Sequence, residues 1–131
     1  MLIDTGVWID WLRGVNSDAT TQVDTALGEG IAWLAPVILQ ELLQGARSEN
    51  EFATLQREFA DQPMLMPTLE TFVLAGKLYA RGRWQGVTIR SPHDCLISAL
   101  AVEYDVPLLT IDRDFHAIAQ MEPRLRLVPL A

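Results

Sequence analysis

Cysteine is all but missing from this chain: Cys95 stands alone, so no internal disulfide can form and a reducing compartment is expected. Lysine is equally scarce, since nine of the ten basic residues are arginine and only Lys77 is not. That argues against an aspartyl-phosphate enzyme, whose phosphoacceptor usually needs a nearby lysine, because Lys77 falls inside an expected helix far from the acids. There is no G-x-S-x-G nucleophile motif to go with His93 or His116, and no Gly-rich phosphate loop of the Walker or Rossmann pattern. Long apolar runs are missing too. "IAWLAPVIL" (Ile31 to Leu39) is about half the roughly 20 residues of a membrane span, and Pro36 interrupts it. "MLIDTGVW" has neither the basic n-region nor the apolar h-region of an export signal, so a soluble, cytoplasmic protein without membrane contact is expected. Excess positive charge is absent as well: the net charge of −7 lowers the expectation of non-specific binding to a phosphate backbone without excluding a nucleic-acid enzyme.

What is present is a half-hydrophobic chain of 131 residues, enough for one domain (1–131) and one core. "MLID" reads as a buried strand because its apolar residues do not alternate with polar ones. Thr5 can cap a helix "GVWIDWLRG", and Ser17 or Asp18 a second one that stops near Gly28 to Gly30. "IAWLA" is a second strand, and Pro36 opens "PVILQELLQGAR". Ser48 and Glu51 have capping-box spacing at the head of "SENEFATLQREFADQ", and "PMLMP" is an edge-strand candidate. A helix from Thr68 to about Arg83 carries Leu69, Phe72, Val73 and Gly76 on one face and Leu74 and Leu78 on another, a pattern that suggests self-association. "SPHDCLISALAVEYD" is the next helix, with Ser91 as cap and Pro92 at its first position, followed by strand "VPLLT", helix "RDFHAIAQM" and strand "LRLV". Strands alternating with helices predict an α/β sandwich with a mainly parallel sheet and ligands where strands end and helices begin.

The acids fall at such places. Asp4 ends the first strand, Asp112 follows "LLTI", and Asp94 opens a helix three residues after Ser91. Each has an ordinary reading as a cap or first-turn acid. Glu41 does not, because it lies mid-helix on a face shared with Val37, Ile38 and Gly45, where the glycine suggests close approach by another element. Its ordinary reading is a carboxylate reaching solvent from the edge of the apolar stripe. Taken jointly, the four acids can be gathered at one sheet edge. Carboxylates about 4 Å apart repel by roughly 4 kcal/mol per pair at an effective dielectric of 20, so something must offset them. All-oxygen ligation suits a hard cation such as Mg²⁺ or Mn²⁺, and the lack of a Cys/His cluster argues against structural zinc. His93 and His116 read as ordinary surface or half-buried histidines, and Cys95 as a small apolar helix residue. Thr5 or Thr110 is placed to bond a cation-held water.

The stretches "IDTGVWID", "ILQELLQGA", "HDCLISALA" and "LLTIDRDF" occur in this order over essentially the whole chain, and through them it resembles the PIN-domain endoribonucleases of the VapC toxin type. The resemblance implies a PIN-type α/β/α sandwich and a toxin of a type II toxin-antitoxin system that cuts RNA with Mg²⁺ or Mn²⁺ in a prokaryotic cytoplasm. It also implies a homodimer held inactive by a cognate antitoxin. Asp4, Glu41, Asp94 and Asp112 match the family's catalytic acids, with Asp4, Asp94 and Asp112 as metal ligands and Asp114 as a fifth acid that binds or orients the metal. Arg83, Arg90 and Arg113 flank loops and helix ends near these acids and are candidate phosphate contacts. Trp8 and Trp11 are candidate anchors for an antitoxin peptide beside the first helix. The alternative to an enzyme is a non-catalytic PIN-like module that binds RNA or a protein partner.

Overall fold

The computed structural model describes residues 1–131. Strand β1 (Leu2–Ile3) leads into helices α1 (Thr5–Leu12), α2 (Asp18–Glu29), α3 (Pro36–Gln44), α4 (Glu49–Phe59), α5 (Leu69–Trp84) and α6 (Pro92–Glu103). Strand β2 (Leu108–Leu109) and helix α7 (Asp114–Met121) complete the order.

The two strands lie parallel, Leu2 opposite Leu108 and Ile3 opposite Leu109. Parallel bridges from Leu2 to Trp33, Leu34 to Met64 and Leu108 to Leu127 widen the sheet on both sides. The segment order is therefore Met64, Trp33 with Leu34, β1, β2, Leu127, which puts "PMLMP" at an edge as expected. The expected strands at 31–35, 63–67 and 125–128 shrink to isolated bridges, two in the first segment and one in each of the others. Prolines at 36, 63, 67 and 129 lie next to them and donate no ladder N–H. Leu2, Ile3, Leu108 and Leu109 are wholly buried. Each such side chain contributes about 2 kcal/mol by leaving water, which holds together strands too short to persist by their ladder alone. Helices α1 to α4 pack in sequence neighbourhoods, α5 packs on α6 and α7, and α3 meets α6. Helices clothing a parallel sheet make the expected α/β/α sandwich.

Parallel pairing sends both strands out at the same edge. The Asp4 backbone N–H donates to the Leu109 carbonyl at 2.9 Å, so the residues after β1 and after β2 emerge side by side. Two local expectations need correction. The cap of α1 is Asp4, extended at φ −66° and ψ 155° with its carboxylate accepting from the Thr5 N–H, and Thr5 is the first helical residue. The hydroxyl of Thr5 is thereby free for another partner. Gly45 is not a point of close approach either: a Cβ there would meet only the Leu42 carbonyl oxygen, at an ordinary 3.5 Å. It is the C-cap that ends α3 after Gln44. The tight glycine is Gly82, where a Cβ would come within 2.8 Å of Ile89 and push away the segment that leads into α6.

Helix α5 shows both expected faces. Ala75, Leu78 and Gly82 are buried, whereas Leu69, Phe72 and Val73 are 76%, 54% and 57% exposed.

Candidate active site

Asp4 and Asp112 come from the two strand exits, Asp94 from the first turn of α6, Glu41 from α3 and Asp114 from the start of α7. Hydrogen bonds string most of them together. Asp4 accepts from the Thr5 N–H at 2.8 Å through Oδ1 and from the Thr110 hydroxyl at 2.9 Å through Oδ2. Thr110 Oγ1 in turn accepts from the Asp112 N–H at 3.0 Å, and Asp112 Oδ1 from the Asp114 N–H at 2.9 Å. On the other flank the Thr5 hydroxyl donates to Glu41 Oε1 at 2.9 Å, and His93 Nδ1 lies 3.7 Å from Glu41 Oε2. Thr5 and Thr110 thus each donate to a carboxylate, and each hydroxyl oxygen keeps a lone pair that can accept from a water. Mid-helix Glu41 is explained the same way, because its inward face meets a hydroxyl and an imidazole rather than an apolar wall.

Asp94 is the odd member. It is buried at 9% exposure, and no group of the protein donates a hydrogen bond to its carboxylate. Burial first, and then the charges of Asp4, Asp112, Asp114 and Glu41, push its pKa up to about 7. Burial also raises Asp4, to about 6, with repulsion from Glu41 and Asp112 adding to it and the bonds from Thr110 and Thr5 opposing it. Oxygens of Asp94, Asp112 and Asp114 lie within 4.8 Å of one another. An all-carboxylate set that repels itself fits a hard divalent cation, whose charge would favour the ionised forms. The neighbouring Cys95 thiol is buried and pushed up to about 11, by burial and by Asp94, so it is an inert apolar side chain as expected.

The basic candidates separate. Arg90 forks onto Asp114, Nε to Oδ2 at 2.9 Å and Nη2 to Oδ1 at 3.2 Å. Arg113 is exposed between Asp112 and Asp114 and forms no ion pair. Arg83 is not with the acids: its guanidinium lies 6.0 Å from the Tyr79 ring centre and lines a separate cleft of about 650 Å³ between α3, α5 and α6. His93 borders both that cleft and Glu41, so it is more than the ordinary histidine the sequence suggested. Its position next to Asp94 at the helix start was the only signal.

The tryptophans separate as well. Trp8 is 1% exposed, wedged edge-on between Trp11 and Phe59 at 5.7 and 5.3 Å, so it has no surface to offer a partner and its role as an anchor is withdrawn. Trp11 is half-buried, donates to Asp24 at 2.9 Å, and borders a hollow of about 410 Å³ with Leu12, Leu27 and Phe59.

Residues 1–121 match the model of the PIN domain family. The chain is 36% identical over 124 residues to Ribonuclease VapC11 of Mycobacterium tuberculosis and, to the same extent, to a VapC ribonuclease of Mycobacterium bovis, 92% of each chain being covered. Among solved structures it superposes on VapBC of Salmonella typhimurium with a TM-score of 0.78 at 19% identity, covering 97% of this chain and 95% of that one. VapBC2 of Rickettsia felis gives 0.77 at 17% identity, with 99% and 98% covered. With acids at both strand exits and a curated relative over nearly its full length, this chain belongs to the PIN-domain family, among its VapC ribonucleases.

Proposed function

We propose that this protein is the toxin of a type II toxin-antitoxin pair and that it hydrolyses RNA phosphodiester bonds internally, using Mg²⁺ or Mn²⁺ held by Asp94 and Asp112 with Asp4 behind them. The observation that carries this reading is Asp94, a buried carboxylate without a donor or counter-cation, facing four other acids. A bound divalent cation would supply Lewis-acid stabilisation of the phosphate's developing charge and a water of lowered pKa. Asp4, fixed through both oxygens by Thr5 and Thr110, keeps the inner wall of the site rigid. Glu41, oriented by the Thr5 hydroxyl on Oε1 and with His93 3.7 Å from Oε2, is the carboxylate that would take the proton of the attacking water. Neither a ribose 2′-hydroxyl nucleophile nor a histidine pair is needed.

The test is incubation of the purified protein with total RNA, with and without Mg²⁺ or Mn²⁺, beside Asp4→Asn and Asp94→Asn. Cleavage is expected only for the wild-type chain with a cation. Cation-independent cleavage, or full activity in both variants, would sink the mechanism.

Two partners belong to the same reading, in which the chain acts as one cytoplasmic PIN unit. The structural relatives were solved as VapBC pairs from toxin-antitoxin systems, which supports a cognate antitoxin here. Trp11 and its neighbouring hollow are the surface we assign to it. A second copy of this chain is the partner for the exposed Leu69, Phe72 and Val73 face of α5. Val73→Lys should leave monomer stability within about 0.5 kcal/mol, as surface changes do, while converting a dimer to a monomer by light scattering. A wild-type chain already monomeric at micromolar concentration would remove the dimer from this proposal.

A further inference from the structure

The geometry points to Arg90 as the residue that seats an RNA phosphate beside the acids, with Asp114 serving to hold Arg90 in place and not as a ligand of the cation. The inference rests on the ribonuclease reading and assigns a division of labour within it.

Three arginines were candidates for phosphate, and their surroundings differ. Arg83 stands over Tyr79 outside the acid cluster, and Arg113 has no partner to fix it. Arg90 is both fixed and available. Its fork onto Asp114 is bidentate at 2.9 and 3.2 Å, yet its side chain is 74% exposed. Those two bonds use the Nε hydrogen and one hydrogen on Nη2. Three of the guanidinium's five N–H groups remain for a ligand that arrives from solvent, and a phosphate takes such a planar fork well. Holding the side chain beforehand removes most of the rotamer entropy that a free arginine would lose on binding.

The placement is tied to the chemistry. Asp114 donates its backbone N–H to Asp112, Asp112 donates its own to Thr110, and the Thr110 hydroxyl donates to Asp4. One unbroken chain of bonds therefore fixes Arg90 relative to the innermost acid. The guanidinium also lies within the field of Asp112 and Asp94. For Asp114 this leaves an occupied carboxylate: both oxygens already accept from Arg90, and a cation sharing that carboxylate would face a guanidinium across it. Proximity to Asp94 and Asp112 alone would enrol Asp114 as a ligand; its hydrogen bonds give it the other role.

The experiment measures RNA and cation separately. Binding of a short fluorescently labelled single-stranded RNA is followed by anisotropy with chelator present, and Mn²⁺ alone is titrated by calorimetry. Arg90→Ala should weaken RNA binding about tenfold, with Arg90→Lys in between because it keeps the charge but not the fork. The slope of log Kd against log salt should fall by about 0.7 for the lost phosphate contact. Asp114→Asn should weaken RNA binding in the same direction and leave Mn²⁺ binding intact, whereas Asp112→Asn should lose Mn²⁺. If Asp114→Asn loses Mn²⁺ as Asp112→Asn does, or if Arg90→Ala binds RNA as the wild type does, the assignment is overturned. A wild-type chain that neither binds nor cuts RNA would instead remove the ribonuclease reading beneath it.

Discussion

Asp94 and Glu122 are both buried carboxylates, 9% and 5% exposed, and the protein treats them in opposite ways. Glu122 follows α7 and comes with its own cation, because Arg124 donates to it through Nε at 3.1 Å, Nη2 at 2.7 Å and the backbone N–H at 3.3 Å. That bonding holds the Glu122 pKa below the usual carboxylate value. Asp94 has burial and four like charges around it, which push it up to about 7. In the proposed reading, the acid that serves the fold is neutralised from within the chain, while the acid assigned to chemistry is left for something from outside to neutralise.

The widest separation between the two should be in activity. Asp94→Asn is expected to lower cation-dependent RNA cleavage at least about 10²-fold, and Glu122→Gln to leave it near the wild-type level. With chelator at pH 8 the order of stability should reverse: Asp94→Asn gains about 1–2 kcal/mol on denaturant unfolding because a repelled charge is gone, and Glu122→Gln loses stability. A destabilised Asp94→Asn chain, or equal losses of activity in the two variants, would erase the distinction.

The pH dependence should be the next largest effect. Asp4 and Asp94 have folded pKa values of about 6 and 7 against 3.8 for the free side chain, so between those limits the folded state holds more protons than the unfolded one. Their contribution to stability therefore falls as pH rises from about 4 to about 7. Glu122 runs the other way, and its contribution is lost as pH falls through its lowered pKa. Thermal unfolding in chelator should accordingly weaken from pH 5 to pH 8, with added Mg²⁺ restoring more at pH 8 than at pH 5. Equal effects of Mg²⁺ at the two pH values would contradict the picture. The smallest change is Arg124→Ala, which should lower the unfolding midpoint by a few degrees and leave the cation response unaltered.

Much of this site could be read in the sequence because of where its acids fall. Asp4 and Asp112 follow apolar strand runs, Asp94 has a helix-start spacing and Glu41 an inward helical face, all of them local patterns. What escaped was non-local. That the Thr5 hydroxyl turns to Glu41, 36 residues away, or that Arg90 crosses to Asp114, 24 residues away, depends on how elements dock. Trp8 misled for the same reason, since α1 alone cannot show which of its apolar faces Phe59 will cover. The sheet was overdrawn at its edges, where flanking prolines let an apolar run make one bridge and no more.

The bond from Thr110 to Asp4 closes over 106 residues. Synthesis proceeds from the N-terminus, so a growing chain displays Asp4, and later Glu41, well before Thr110 and Asp112 have been translated. A nascent or prematurely terminated chain therefore lacks one wall of the acid cluster, which closes only when almost the last fold is made.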